Sequence, residues 1–258
     1  MKVSVITVTY NSEKTIRDTI ESVISQDYDN REYVIVDGAS TDNTAKIIEE
    51  YSNNIDIFVS EPDDGIYDAM NKGIELSQGD IVGFLNSDDI LSNTHIISDI
   101  ASRFLDTEID AIYGDLVYVD SIDTDNIVRY WKAGIISGTD IKYAVHPPHP
   151  TFYVRKNILD KCGLFDTQYS IAADVDLMIR LLGRCQIRAD YIPEILVKMR
   201  MGGVTNKNLR NIMRQNIEIR KSLKANKLDS NLFMFVMKKL ASRLRQYINK
   251  PDHEGHNR

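Results

Sequence analysis

Over residues 1–120 the chain alternates short β-branched, apolar runs with segments of helical period, and this restricts the fold more than any other feature. The runs "KVSVITVTY" (2–10), "EYVIVD" (32–37), "IDIFVS" (55–60), "DIVGFL" (80–85) and "AIYGDLVYVD" (111–120) read as strands. Between them, "SEKTIRDTIESVISQ" (12–26) places Ile16, Ile20, Val23 and Ile24 at helical spacing. "STDNTAKIIEEY" (40–51) opens with capping residues before an apolar face, and 65–77 and 94–105 also read as helices. Strands this apolar are buried on both faces, and intervening helices supply the cover, so a parallel sheet between helix layers is expected. Right-handed crossovers then make it a doubly wound α/β sheet.

In such sheets the ligand lies where the strands end, so the residues just after each strand carry the functional signal. Strand one ends in Thr9, Tyr10 and Asn11, and strand two in Asp37. The third leads into Glu61, Pro62, Asp63 and Asp64, and the fourth into Asn86, Ser87, Asp88 and Asp89. Adjacent carboxylates repel each other, and a hard divalent cation such as Mn²⁺ or Mg²⁺ relieves the repulsion. Magnesium typically takes one or two carboxylates and leaves its other positions to water and substrate phosphates, so the acidic edge implies a phosphorylated ligand, a nucleotide above all. The glycine-rich cradles GxGxxG and GxxxxGK[ST] are absent, which leaves metal and base contacts to hold it.

Cys162 and Cys185 lack CxxC spacing and are expected as core thiols in a reducing cytoplasm. The opening "MKVSVITVTYN" lacks the run of a signal peptide, and no stretch approaches the ~20 apolar residues of a membrane span. Residues 198–250 hold 14 Lys or Arg against two acids, Glu218 and Asp229, so the rest is more acidic than the net charge of −7 suggests. Two helices are expected in this tail, at 205–226 and 229–249. The second sets Phe233, Val236, Met237, Leu240, Leu244, Tyr247 and Ile248 among basic residues, a pattern that suits an anionic membrane surface or docking on protein. Nucleic acid is not an expected partner of so acidic a body.

Several stretches together resemble family 2 glycosyltransferases with the nucleotide-diphospho-sugar transferase (GT-A) fold, of the bacterial surface-polysaccharide kind. "VSVITVTYN", "VIVDGASTDNT" and "EPDDGIYDAMNKGIELSQGDIVGFLNSDD" match the nucleotide and metal side; "HPTFYVRK", "CGLFD" and "AADVDLMIRLL" match the acceptor side. The resemblance spans about residues 3–203 and implies a GT-A domain over 1–203 with a basic helical extension over 204–258. It implies that Asp88 and Asp89 hold Mn²⁺ or Mg²⁺ against the donor diphosphate. Thr9, Tyr10, Asn11, Asp37, Asp63, Asn71 and Lys72 would then serve the nucleotide, and Asn86, His149 and Asp176 the sugar or acceptor. The family often carries Asp-Asp after strand two, where this chain has Asp37 followed by Gly38.

An Asp ahead of an amphipathic helix, as at Asp174, is ordinarily a cap. The resemblance, with Ala173 in place of the family's Glu, implies instead that Asp174 is the catalytic base of an inverting transfer. The donor would be a nucleotide sugar, UDP-linked by preference. The acceptor would be a glycan or a sugar on undecaprenyl diphosphate, reached by a cytoplasmic enzyme on the inner face of the plasma membrane. In "HPPHP" (146–150) the prolines make a rigid turn, so His146 and His149 are not expected to bind zinc. Phosphate-ester hydrolases of the haloacid dehalogenase type need an Asp motif where this chain reads "VTYN", and the glycine-rich opening of pyrophosphorylases is absent. A catalytically silent nucleotide-sugar scaffold remains the alternative.

Overall fold

The structure is a computed structural model describing residues 1–202, 209–228, 231 and 235–238. Strand β1 (Val3–Thr9) is buried along its whole length. Its parallel neighbours are β2 (Arg31–Asp37) and β4 (Ile81–Phe84), and β3 (Ile57–Ser60) extends the parallel set beyond β2. The helices that connect them are α1 (Ile16–Ile24), α2 (Thr44–Glu49) and α3 (Ile66–Leu76). Next come β5 (Asp89–Leu91), α4 (Ile96–Arg103), β6 (Ala111–Val119), β7 (Ile127–Trp131) and a single turn, α5 (Gly138–Ile141). The chain continues through β8 (Tyr153–Arg155), α6 (Lys156–Cys162), α7 (Ala173–Met178), β9 (Ala189–Arg200) and α8 (Leu209–Ala225).

The strand order is β3-β2-β1-β4-β8-β6-β9-β5, with β7 on β6. The GT-A expectation of a mostly parallel sheet flanked by helices holds, but the sheet is mixed. β8 lies antiparallel between β4 and β6, so those two strands do not pair with each other. Gly83 makes the insertion possible, because a Cβ there would lie 2.1 Å from the ring of Tyr153, its cross-strand partner.

Alternation along the strands splits the core in two. Val3, Val5, Tyr33, Ile35 and Ile81 face α1 and α4 through Ile16, Ile20, Ile97 and Ile100. Ile6, Val34, Val36, Val82 and Phe84 face α3, α6 and α7 through Met70, Ile74, Leu159 and Leu177. A smaller cluster joins Ala172, Val175 and Ile179 to Ile219 and Leu223 of α8 and to Phe235. Each large apolar side chain fully buried in this way contributes roughly 1.5–3 kcal/mol. The first helix expected in the tail is thus present as α8, packed on α7. The second falls mostly outside the described residues: 235–238 are helical there, with Phe235 buried while Val236 and Met237 are exposed.

The two cysteines correct the sequence reading. Cys162 and Cys185 are paired as a disulfide, Cα to Cα 6.6 Å, joining the end of α6 to the π-helical turn (Ile179–Arg184) that continues α7. Their 23-residue separation concealed a proximity that the fold creates, and cysteine usage no longer argues for a reducing compartment.

Candidate active site

The loops at the carboxyl ends of β1, β2, β3 and β4 are tied directly to one another. The Asn11 amide donates to Ser40 Oγ at 2.8 Å, and Asn11 Oδ1 accepts from the Thr41 amide at 2.9 Å. Ser12 and Ser87 hydroxyls meet at 2.8 Å and join the β1 loop to the acidic loop after β4. Asn11, with φ of 50°, turns the chain in the left-handed conformation that Asn tolerates.

Several expected nucleotide ligands are already engaged inside the protein. Asp37 is fully buried and accepts from the Ser40 amide (3.0 Å), from Ser60 Oγ (2.6 Å) and from Ser40 Oγ, so it anchors the β2 and β3 ends. Asn71 clamps the backbone of Phe165 in both directions, donating to its carbonyl and accepting from its amide at 2.9 Å each. Lys72 pairs with Glu61 at 2.6 Å. Thr9 Oγ1 is buried without a hydrogen-bond partner among the described residues.

What lies against Gly38 at this corner is an aromatic ring and one carboxylate. Tyr10 is 62% exposed. Asp63 is half-buried, and its Oδ1 accepts the Gly65 amide at 2.8 Å. A Cβ at position 38 would lie 2.4 Å from Asp63 Oδ2 and 3.5 Å from the Tyr10 ring. Asp63 therefore fills, from the third strand, space that a side chain at position 38 would need.

Asp88 is half-buried and Asp89 fully buried. Asn86 Nδ2 donates to Asp89 Oδ2 at 2.9 Å, whereas Asp89 Oδ1 has no partner among the described residues. Burial first, then the charge of Asp88, pushes Asp89 well above the ordinary carboxylate range, and burial also raises Asp88. Arg200 from β9, which the sequence reading did not single out, donates to the Asp88 carbonyl at 3.0 Å and pairs with Asp18. A basic residue closing a half-buried strand was its only sequence signal.

Asp174 lies in the first turn of α7. No side chain of the chain around its own start caps α7. Instead Glu218 of α8 reaches in, accepting the amides of Ile171 (2.9 Å) and Ala172 (3.1 Å) and the Ser170 hydroxyl (3.0 Å). These contacts fix the backbone just before α7, and Asp174, the second residue of the helix, stays half-buried, its Oδ1 accepting from the Tyr67 hydroxyl at 3.2 Å. Tyr67 stacks on Phe165, whose edge meets Phe84 and His149 at 5.4 and 5.5 Å between centroids. Phe84 and His149 also stack at 5.3 Å, so one aromatic cluster links Asp174 to the strand that runs into the acidic loop. Burial lowers the pKa of His149, and the charge of Asp174 opposes that shift. Asp176 is buried, with Arg180 (2.8 Å) and Ser222 on its two oxygens, an internal brace between α7 and α8.

Comparison with known proteins gives one family model, described as glycosyl transferase family 2, over residues 4–167. A PGL/p-HBAD biosynthesis glycosyltransferase of Mycobacterium tuberculosis is 27% identical over 207 residues, 79% of this chain and 78% of the relative. The putative teichuronic acid biosynthesis glycosyltransferase TuaG of Bacillus subtilis is 42% identical over 90 residues, 34% of this chain and 36% of the relative. Among solved structures, S. aureus TarS 1-349 in complex with UDP-GlcNAc superposes with a TM-score of 0.68 at 21% identity, covering 95% of this chain and 73% of that one. The mannosyltransferase PcManGT from Pyrobaculum calidifontis, in complex with GDP-Man and Mn²⁺, gives 0.60 at 16% identity, covering 94% and 80%.

Proposed function

The chain belongs to glycosyl transferase family 2, and on that premise we propose that it moves a sugar, with inversion, from a UDP-linked donor to a glycan or lipid-linked sugar during surface polysaccharide synthesis. The observation that carries the reading is the Asp174 carboxylate held by a hydrogen bond from Tyr67 in the first turn of α7. Glu218 fixes the backbone that leads into this helix, and the carboxylate sits beside an aromatic cluster that includes Phe84, at the end of the strand running into the acidic loop.

Asp174 takes the proton from the acceptor hydroxyl as that oxygen attacks the anomeric carbon, a role that typically contributes ~10²–10⁴-fold. The exposed Tyr10 ring offers a face for the base, and Asp63 Oδ2 an acceptor beside it. His149, held neutral at pH 7 by desolvation, lines the sugar side without adding a charge there.

A divalent cation fits Asp88 and Asp89. One buried carboxylate oxygen is orphaned, and the two charges repel. Two carboxylates suit Mn²⁺ or Mg²⁺ whose remaining positions are filled by water and donor phosphates. When bound, the ion supplies Lewis-acid stabilisation of charge on the departing diphosphate.

The test is a thermal-shift panel of UDP-, GDP-, dTDP- and CMP-sugars, with Mn²⁺ or EDTA, on wild type and Asp89→Asn, followed by turnover assays. A ligand that binds only the native state stabilises it by RT ln(1 + [L]/Kd). A metal-dependent shift with UDP-sugars, lost in the variant, is expected. A well-folded protein that no nucleotide sugar stabilises would overturn the proposal; binding without transfer or hydrolysis would favour the silent scaffold.

A further inference from the structure

We propose that the outward face of α8 is a docking surface for an anionic phospholipid bilayer. The helix spans Leu209–Ala225. Its buried side carries Glu218, Ile219, Ser222 and Leu223. At 3.6 residues per turn, Arg210, Met213, Arg214, Ile217, Arg220, Lys221 and Lys224 fall within a stripe of roughly 120° on the other side. All seven are exposed.

The stripe is unusual in sign and in composition. It contains five cations and no acid, because the only acid of α8, Glu218, is turned inward and is 8% exposed. Arg214 alone among these cations has an acid within ion-pair reach among the described residues, and that acid is Glu218. Along the middle of the stripe, one turn apart, Met213 and Ile217 are 66% and 67% exposed. Beside the helix, where Phe235 packs against Ile219 and Leu223, Val236 and Met237 add two more exposed apolar side chains.

Cations alone would serve a soluble polyanion, and a solvated face has no use for a central apolar pair. A helix that lies in the interface of an anionic bilayer uses both: its apolar centre enters the headgroup boundary while flanking Lys and Arg meet lipid phosphates. The α8 stripe itself lies outside residues 229–249, which add only Val236 and Met237 at its side, and the inference does not depend on the sugar or acceptor. It also has a geometric consequence. The inner side of the same helix holds the 170–172 backbone through Glu218, so a docked membrane would lie about one helix diameter, ~10–12 Å, from the segment leading into Asp174.

The experiment is co-sedimentation of the full chain with vesicles of phosphatidylcholine alone or mixed with phosphatidylglycerol, at low and high salt. Two variants are compared with wild type: Met213→Ser/Ile217→Ser, and Arg210→Glu/Arg220→Glu/Lys224→Glu. Circular dichroism confirms folding, and single Ile217→Ser replaces any variant that fails to fold. Salt-sensitive binding to the anionic vesicles only is expected, falling by about tenfold or more in each variant. No binding by wild type, or full binding by the charge-reversed variant, overturns the proposal. Binding that falls with charge reversal yet is untouched by the serine substitutions also overturns it, and identifies a polyanion site instead.

Discussion

The Tyr67 hydroxyl donates to the Asp174 carboxylate across 3.2 Å, bridging 107 residues of chain between the first turn of α3 and the first turn of α7. Burial first and then the Asp174 charge hold the Tyr67 pKa well above its ordinary value, so the phenol remains a donor throughout the working range of the enzyme.

Replacing Tyr67 by Phe keeps the stack on Phe165 and removes only that donor. The expected result is a fall in kcat of about tenfold with KM nearly unchanged, whereas Asp174→Asn should lose ~10²–10⁴-fold. Steady-state kinetics on matched, equally stable preparations measure both. A Tyr67→Phe enzyme with wild-type kcat would show that the hydroxyl does not position the base.

Gly38 and Asp63 should behave as one unit. An added Cβ at position 38 falls 2.4 Å from Asp63 Oδ2, so Gly38→Ala must displace that carboxylate. Calorimetric titration with UDP is expected to show Kd raised about tenfold in Gly38→Ala and in Asp63→Ala, with the double variant no weaker than Asp63→Ala alone. Strictly additive losses would mean that position 38 acts on the nucleotide by another route.

Glu218→Ala removes the acceptor for the Ile171 and Ala172 amides, which lie in a part of the chain with little access to water. Leaving buried donors unsatisfied costs about 1–3 kcal/mol, to be read from the urea midpoint. Because the start of α7 then loses its fixed point, kcat should fall by more than KM rises.

His149 gives the protein a pH dependence of definite sign. Burial lowers its folded-state pKa below the ordinary value of 6.5, with the charge of Asp174 raising it and His146 adding to the lowering. Its unfolded form therefore binds more protons in the window beneath 6.5, and stability must decline as pH falls into that window. The melting temperature of wild type should drop between about pH 7 and pH 5, and less steeply in His149→Phe, which keeps the aromatic packing. Equal slopes would remove His149 as a contributor.

The parallel half of the sheet was legible because β1, β2 and β4 are buried on both faces and leave uninterrupted apolar runs. β8 was not, being three residues long, and β9 hides behind Pro193 and Glu194, where its register against β6 shifts and its burial becomes irregular. At the site, sequence marked the acidic strand ends but could not tell which acids the fold itself consumes. Asp37 is occupied by Ser40 and Ser60, and Asp176 by Arg180 and Ser222, partners up to 46 residues away. Asp174 has the opposite history: its position looked like a cap, but it stands inside the first turn of α7, after the N-cap residue Ala172, with its carboxylate on Tyr67.

Placing β8 between β4 and β6 also sets an order of assembly as the chain leaves the ribosome. Strands β3, β2, β1 and β4 can pair with one another once position 84 has emerged. β6 is made soon afterwards but has no neighbour in that set, and must wait until residues 153–155 arrive to bridge it. The growing protein therefore carries an open β4 edge through some 70 residues of synthesis, an unpaired edge being a template for wrong partners. The half that brings Asp174 is fastened on last, first by the three residues of β8 and then where β9 pairs with β5.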